Sequence, residues 1–341
     1  MRNKIVVGVF LALIALLFPL YNLLMPGVSV SLHEKRNIAQ FPDIRETGIK
    51  AFPDAFNEYT RDNAPLRVDA SLCNSFLNKQ LFGALQSDMV LLGKDEWLFY
   101  KEGPSYAPMG YYQHSIVFTP QQEEEICRAL AAVQEKLAQQ GTEFLLLIAP
   151  GKETVYGEYV PDCYPVLDTP GRTERLVDAI GKTTDVPVVF PLQQLQEHKT
   201  DLQLYYRLDT HWNYAGASVA LNCALEELQL PVPDFADYRF EDGGIATGDL
   251  ANLGALFTCV KDERDTVLAN PELGGAISSS VAVYGDSFRN FFGPVLSARC
   301  EKYLLTDWTA GYDFSAAPDV AILVLTERNL IDIPAVLAAW Q

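Results

Sequence analysis

Basic residues are scarce in this chain: 26 Lys and Arg stand against 44 Asp and Glu, a formal net charge of -18 over 341 residues. A surface that tracks phosphates needs clustered Lys and Arg, so nucleic acid is not an expected partner. The same field repels an anionic membrane surface and suits a neutral polysaccharide, or simply solubility. Closely spaced cysteines are missing too. The six present, Cys73, Cys127, Cys163, Cys223, Cys259 and Cys300, include no Cys-x-x-Cys pair, and structural zinc needs such paired ligands. Neither a metal nor another cofactor is therefore expected. An even count permits disulfides in an exported domain, but spacing does not reveal their pairing. Histidine is limited to four, no internal repeat is visible, and a charged fraction of 21% is ordinary for a folded chain.

What is present begins with a long apolar run. Arg2 and Lys4 precede residues 5–25, which carry no charge at all. At 1.5 Å per residue that run spans about 31 Å, the thickness of a bilayer's hydrocarbon core. It ends Leu-Leu-Met-Pro-Gly, without the small residues of a cleavage site. Residues 1–25 are therefore expected to form an uncleaved signal-anchor transmembrane helix. Positive charge before the run, partly offset by Lys35 and Arg36 beyond it, orients the tail inward. That predicts a single-pass protein of the cell membrane with an extracytoplasmic domain.

Residues 26–80 read as a juxtamembrane tether with short helices on both sides of Pro65, and 81–341 as the main domain. Apolar residues at 90–92 and 97–99, around Gly93 and Glu96, predict a hairpin. From Thr119 the pattern becomes α/β. Thr119-Pro120 starts a helix that Gly141 ends, and 144–149 is a continuous apolar run typical of a buried parallel strand. Further strands are expected at 186–190, 279–284, 302–305 and 320–325. Helices are expected near 170–182, 213–228, 287–296 and 334–340. Alternation of this kind implies a mainly parallel sheet covered on both faces. Residues 231–278, rich in Gly, Asp and Pro, read as a loop-rich insertion or lid.

The sharpest local feature is Val-Ala-Val-Tyr-Gly-Asp-Ser-Phe at 281–288. A buried strand runs into Gly285, and Ser287 falls where a helix begins, beyond the carboxyl end of the strand where ligands of open α/β sheets bind. N–H groups of that first turn point to the same place and suit an oxyanion. A serine hydroxyl needs a base. His211, in Asp209-Thr210-His211-Trp212, is the histidine with a carboxylate two residues away. Asp209 can accept from Nδ1 while Nε2 faces the serine, which fixes the tautomer. Trp212 is a candidate pocket wall. The plainer alternative stays open: Asp286 or Ser287, and Asp209 or Thr210, are residue types that cap helices.

These blocks resemble those of the SGNH hydrolases. Gly285-Asp286-Ser287 is similar to their nucleophile block, and Asp209-Thr210-His211-Trp212 to the acid-base block of the AlgX/AlgJ branch, with DltD-like and DHHW-type proteins as looser relatives. The histidine block precedes the serine, and the spacing is Asp-x-His, as in that branch. Asn63 to Arg67, Gly93 to Tyr100, Ala149-Pro150-Gly151-Lys152 with Tyr156, Gly248-Asp249-Leu250 and Glu327-Arg328 fit as well. The resemblance implies a three-layer SGNH-like domain acting as an O-acetyltransferase on an exopolysaccharide or cell-wall glycan. Ser287 would carry the acyl group, His211 would be base then acid, and Asp209 would orient it. It also implies a membrane-bound O-acyltransferase as acetyl donor. Lys152, Tyr156, Asp286, Gly248, Glu327 and Arg328 become candidate pocket residues. A Gly-x-Asn-Asp block is missing, which leaves the side-chain oxyanion donor unassigned. An acetyl esterase, or a catalytically idle glycan-binding or assembly protein, remains the alternative.

Overall fold

The structure, a computed structural model, describes residues 6–8, 16, 20–24, 29–31, 36–83, 85, 87–103, 105–246, 248–254, 256, 260–261, 263–269, 273, 275–312 and 317–340. Most of the apolar run at 5–25, expected to span a membrane, lies outside those residues. Among the described residues no helix is long and apolar enough to cross a membrane. The chain folds as two compact units, residues 1–86 with 251–260, and residues 87–250 with 261–341.

In the first unit, helices α1 (Ile44–Asp62) and α2 (Arg67–Phe82) flank Pro65, as the spacing predicts. Asp43 caps α1 by accepting the Arg45 N–H at 2.8 Å. The helix breaks at Gly48, whose φ of 74° few other residues adopt.

The second unit opens with the expected hairpin, β1 (Val90–Leu92) paired antiparallel to β2 (Leu98–Tyr100). Helix α3 (Pro120–Ala138) starts on a capping box: Thr119 Oγ1 accepts the Gln122 N–H at 3.3 Å, and Gln122 Oε1 accepts the Thr119 N–H at 2.9 Å. Strand β3 (Glu143–Ala149) follows, then helix α4 (Arg172–Thr183) and β4 (Val188–Val189), shorter than the five residues expected. Helix α5 (Tyr214–Glu227) is capped by Asn213, whose Oδ1 accepts from Ala215 and Gly216. The stretch expected to be loop-rich holds two strands instead, β5 (Phe240–Ala246) and β6 (Glu263–Leu268), paired antiparallel with a register shift at Gly243-Gly244. β5 is largely exposed and β6 mostly half-buried, and their sequences, FEDGGIA and ERDTVL, carry no apolar alternation.

Strand β7 (Val281–Gly285) leads into a 3₁₀ turn over Ser287–Phe292, and α6 (Gly293–Arg299) begins only afterwards. The single helix expected over 287–296 is divided because Pro294 has no N–H to continue the turn and serves as a helix start. Strands β8 (Tyr303–Asp307) and β9 (Val320–Thr326) complete the sheet, and α7 (Ile333–Ala338) ends the chain's regular structure. The order is β8-β7-β9-β3-β4, every neighbour parallel.

Alternation of side chains explains the layers. Leu145, Leu147, Ile322, Val324 and Val283 face one way and pack with α5 residues such as Val219 and Leu221. Phe144, Leu146, Ile148, Leu323 and Tyr284 face the other way, against Leu130, Ile180 and Leu337 of α3, α4 and α7. Strands buried on both faces read as unbroken apolar runs, as these do. The result is a three-layer α/β fold, a parallel sheet packed on both faces. Cys73, Cys127, Cys163, Cys223 and Cys300 are free thiols, and Cys259 lies outside the described residues.

Candidate active site

The nucleophile candidate stands on a turn that the sheet itself holds. At the end of β7 a Cβ on Gly285 would lie 2.3 Å from the Val324 carbonyl, so only glycine lets β7 approach β9 this closely. Asp286 then bridges the same two strands. Its Oδ1 accepts the Phe288 N–H at 3.0 Å, while Oδ2 accepts the Thr326 N–H and hydroxyl, each at 2.9 Å, and the Asn329 amide at 2.7 Å. Asp286 is thus the cap and anchor of the turn, and it is buried rather than in a pocket. Ser287, next along, is exposed. Gly285→Ala is expected to lower stability by about 1–3 kcal/mol through overpacking, measured as a lower denaturation midpoint at unchanged slope.

The acid-base block sits on a tight loop between Tyr205 and Trp212, closed by a bridge between those residues and by the Tyr206 N–H to His211 carbonyl bond at 3.1 Å. Within it, Asp209 Oδ1 lies 2.5 Å from His211 Nδ1 and accepts the His211 backbone N–H at 3.0 Å. His211 Nε2 lies 2.6 Å from Ser287 Oγ. Residues 76 positions apart in sequence therefore form one hydrogen-bonded line. With Nδ1–H donated to the carboxylate, Nε2 is left to accept from the serine. Burial pushes the Asp209 carboxyl upward, but the His211 hydrogen bond and charge and the Asp249 N–H outweigh it and hold the group well below the usual carboxylate range. Asp209 therefore stays ionised at neutral pH.

Asp249 locks this loop from outside. It donates its N–H to Asp209 Oδ2 at 2.7 Å and accepts from the Thr210 N–H and hydroxyl, both at 2.8 Å. The close approach needs Gly248, where a Cβ would fall 2.0 Å from the Leu208 carbonyl. One donor atom each from Asp209, His211 and Asp249 lies within 4.8 Å of the others, and the hydrogen bonds just described account for that clustering.

Two buried charges grip the loop backbone. Lys152 Nζ donates to the carbonyls of Tyr206 and Arg207 at 3.0 Å each and of Asp209 at 2.6 Å. Glu263 accepts the N–H groups of Arg207 and Leu208, the latter at 2.8 Å, and the Gln203 amide. Burial pushes the Lys152 ammonium down to about 8, against the pull of Glu263, Asp209, Asp249 and Glu153. Tyr156 is also scaffold: it is buried, stacks on Trp97 at 4.4 Å, and its hydroxyl accepts the Leu204 N–H at 2.9 Å. Trp212 is fully buried and ties the two blocks together by donating to the Phe288 carbonyl at 3.0 Å.

Glu327 and Arg328 part company. Glu327 accepts from the Gly151 N–H at 2.5 Å and from the hydroxyls of Thr154 and Thr173 at 3.0 and 2.7 Å. The Arg328 guanidinium lies over the rings of Phe288 and Tyr100, at 5.7 and 5.9 Å. With Thr210 and Phe288, the neighbours of His211 and Ser287, it lines a cavity of about 20 Å³. Among the candidates, then, Ser287, His211 and Asp209 are brought together. Asp286, Trp212, Tyr156, Lys152 and Gly248 hold them in place, and Arg328, Glu327 and Lys152 line the adjoining cavity. Glu263 carried no signal in the sequence, because its partners are backbone N–H groups of any residue type; Asp249 was visible only as a Gly-Asp turn.

Comparison with known proteins places the chain in a family. The family model for the SGNH hydrolase-like domain, acetyltransferase AlgX, matches residues 90–262. A probable alginate O-acetylase AlgJ from Pseudomonas aeruginosa is 28% identical over 215 residues, 58% of this chain and 52% of that protein. Its counterpart from Pseudomonas putida is 28% identical over 234 residues, 61% of this chain and 58% of that one. The chain thus spans little more than half the length of these curated relatives. A DHHW family protein from Eubacterium siraeum shares the fold, with a TM-score of 0.53 at 14% identity over 74% of this chain and 96% of that one. The chain belongs to the family of AlgX-type SGNH hydrolase-like acetyltransferase domains.

Proposed function

We propose that this protein is a membrane-anchored, extracytoplasmic O-acetyltransferase that modifies a polysaccharide through an acetyl-Ser287 intermediate. The observation that carries the proposal is the unbroken line from Asp209 through His211 to the exposed hydroxyl of Ser287. Ser287 Oγ attacks the acetyl carbonyl of the donor while His211 Nε2 takes its proton. His211 returns that proton to the leaving group, and the acetyl stays on Oγ. A glycan hydroxyl then attacks the ester, gives its proton to His211, and leaves acetylated as the proton goes back to Ser287. Asp209, ionised, stabilises the imidazolium in both halves.

The 3₁₀ turn uses the N–H groups of Phe288 and Arg289 on Asp286 itself. The oxyanion role expected of this turn therefore falls to the Ser287 N–H, with Arg328 as the adjoining cation. A small cavity lined by Arg328 and by Thr210 and Phe288, next in the chain to His211 and Ser287, is the place for the acetyl group. Residues 5–25 form the anchor. The acetyl donor outside the cell comes from a membrane-bound O-acyltransferase, and the acceptor is an exopolysaccharide or cell-wall glycan.

Hydrolysis is the second reading, because Ser287 is exposed and water competes for the same ester. The purified full chain should release nitrophenol from 4-nitrophenyl acetate and should load a soluble oligosaccharide with acetyl, read as mass gain on the sugar. Release of acetate alone, with acceptor saturating, supports the esterase; no turnover at all removes both enzymes. The anchor is tested separately by fractionation: the chain should stay with membranes through a carbonate wash, and loss of residues 1–25 should release it.

A further inference from the structure

An acetyl-serine enzyme needs a place for its second substrate, within reach of the histidine that will take the substrate's proton. Beside Asp209 and His211 lies an open cavity of about 330 Å³ walled by Tyr206, Tyr214, Ile245, Asp265 and Phe291. That size falls within the range of small-molecule sites. Phe291, on the turn that carries Ser287, lies 5.8 Å from the His211 ring and 5.2 Å from Tyr214 in an edge-on contact. Aromatic faces take the C–H face of a sugar ring, and phenols and carboxylates take its hydroxyls.

The charge of the opening is one-sided. Its described walls hold two carboxylates, Asp209 and Asp265, and no Lys or Arg. The surrounding guanidiniums face elsewhere: Arg264 toward Asp242 at 3.5 Å, Arg207 toward Glu96 and the Lys261 carbonyl, Arg289 toward Asp307 and the turn carbonyls. Lys152 is buried behind the loop. Both bonds to Asp265, from the Tyr206 hydroxyl and the Thr266 N–H, fall on Oδ1. Burial, and then the Asp265 charge, push the Tyr206 and Tyr214 phenols up, so both stay neutral donors. The chain as a whole adds its net charge of -18.

Resting on the acetyl-transfer reading above, we propose that this cavity is the acceptor subsite and that it takes an uncharged or amine-bearing hexopyranose, not a uronate. A hydroxyl or ammonium meets neutral phenols and carboxylates there, whereas a sugar carboxylate adds a third negative charge beside Asp209 and Asp265 with no cation in the described walls to offset it. The acceptor class thereby differs from the alginate named in the curated relatives.

The test uses the full chain in detergent with 4-nitrophenyl acetate and three acceptors that differ in charge: methyl β-glucoside, methyl β-glucosaminide and methyl β-glucuronide. The burst of nitrophenol reports acetyl-serine formation, and the later steady rate, with acetylated glycoside seen by mass, reports transfer. The glucoside and glucosaminide should speed the steady rate and become acetylated, at least about tenfold more than the glucuronide at low salt. The gap should narrow at about 1 M salt, where charges are screened beyond about 3 Å, and in Asp265→Asn. The salt arm stands even if that variant does not fold. Equal or better use of the glucuronide, or a normal burst that no glycoside accelerates, overturns the subsite. Absence of the burst itself overturns the acetyl-serine reading, and the subsite with it.

Discussion

Ser287→Ala should abolish acetyl transfer, with a loss of about 10⁴–10⁶ in turnover that leaves only the residual rate a binding site and oxyanion donors provide. The size of the expected effect follows from the geometry. Ser287 Oγ is the atom 2.6 Å from His211 Nε2, and alanine removes the attacking atom while leaving Asp286, the residue that anchors the turn, untouched. The exposed position makes the change nearly neutral for folding, within about 0.5 kcal/mol. Far-UV circular dichroism and the denaturation midpoint should match the parent. A variant that keeps more than a hundredth of the parent rate, with its fold intact, would place the chemistry elsewhere. Asp209→Asn should cost about 10⁴ in turnover, because an amide presents N–H where the imidazole needs an acceptor and so selects the wrong tautomer.

The second large effect is expected at Lys152, a buried positioning residue. Its ammonium holds three carbonyls of the loop that carries Asp209 and His211, and Glu263 holds two N–H groups of the same loop. Lys152→Met leaves a buried carboxylate without its opposing cation and three carbonyls without their donor. Breaking such an arrangement costs about 3–5 kcal/mol, and the loosened loop should lower turnover by about 10²-fold, since small misplacements of catalytic groups have effects of that order. The pH profile separates positioning from mere folding. Above about 8, where burial has brought the Lys152 ammonium, the neutral amine has two N–H groups for three carbonyls, and transfer should decline as pH rises. Stability moves the other way. Between about 8 and the ordinary lysine value of 10.5, the unfolded chain binds the proton that the folded chain lacks, so this group's contribution to unfolding free energy grows with pH. Activity falling above pH 8 without a fall in the thermal midpoint is the expected signature, and Lys152→Met should lack that alkaline limb. A limb that persists in Lys152→Met, or in Glu263→Gln should the first variant fold poorly, would assign it to another group.

How far the sequence could be read depended on where each signal was written. The central strands β3, β7 and β9 were legible because burial on both faces turns them into continuous apolar runs flanked by Gly and Pro. Strands β5 and β6 were not, since their residues carry no apolar alternation and Gly243-Gly244 interrupts the register. The line Asp209, His211, Ser287 was legible because side-chain chemistry demands those types at element edges. The clamp was not: Glu263 acts on backbone N–H groups, which leave no mark in residue identity. Lys152 and Tyr156 were candidate pocket residues; the Lys152 ammonium holds three carbonyls while the residue also lines the small cavity, and the Tyr156 hydroxyl accepts the Leu204 N–H. Trp212 likewise proved a strut between the two blocks and no wall of an opening.

All of this chemistry rests on one covalent state, an acetyl group held on a single serine between two transfers. Acid quenching of the full chain during turnover of 4-nitrophenyl acetate, followed by peptide mass spectrometry, detects that state itself. One acetyl should appear on the peptide containing Ser287, and none should accumulate in His211→Gln. Acetyl found on another side chain, or steady turnover with Ser287 unmodified at every quench time, would contradict it.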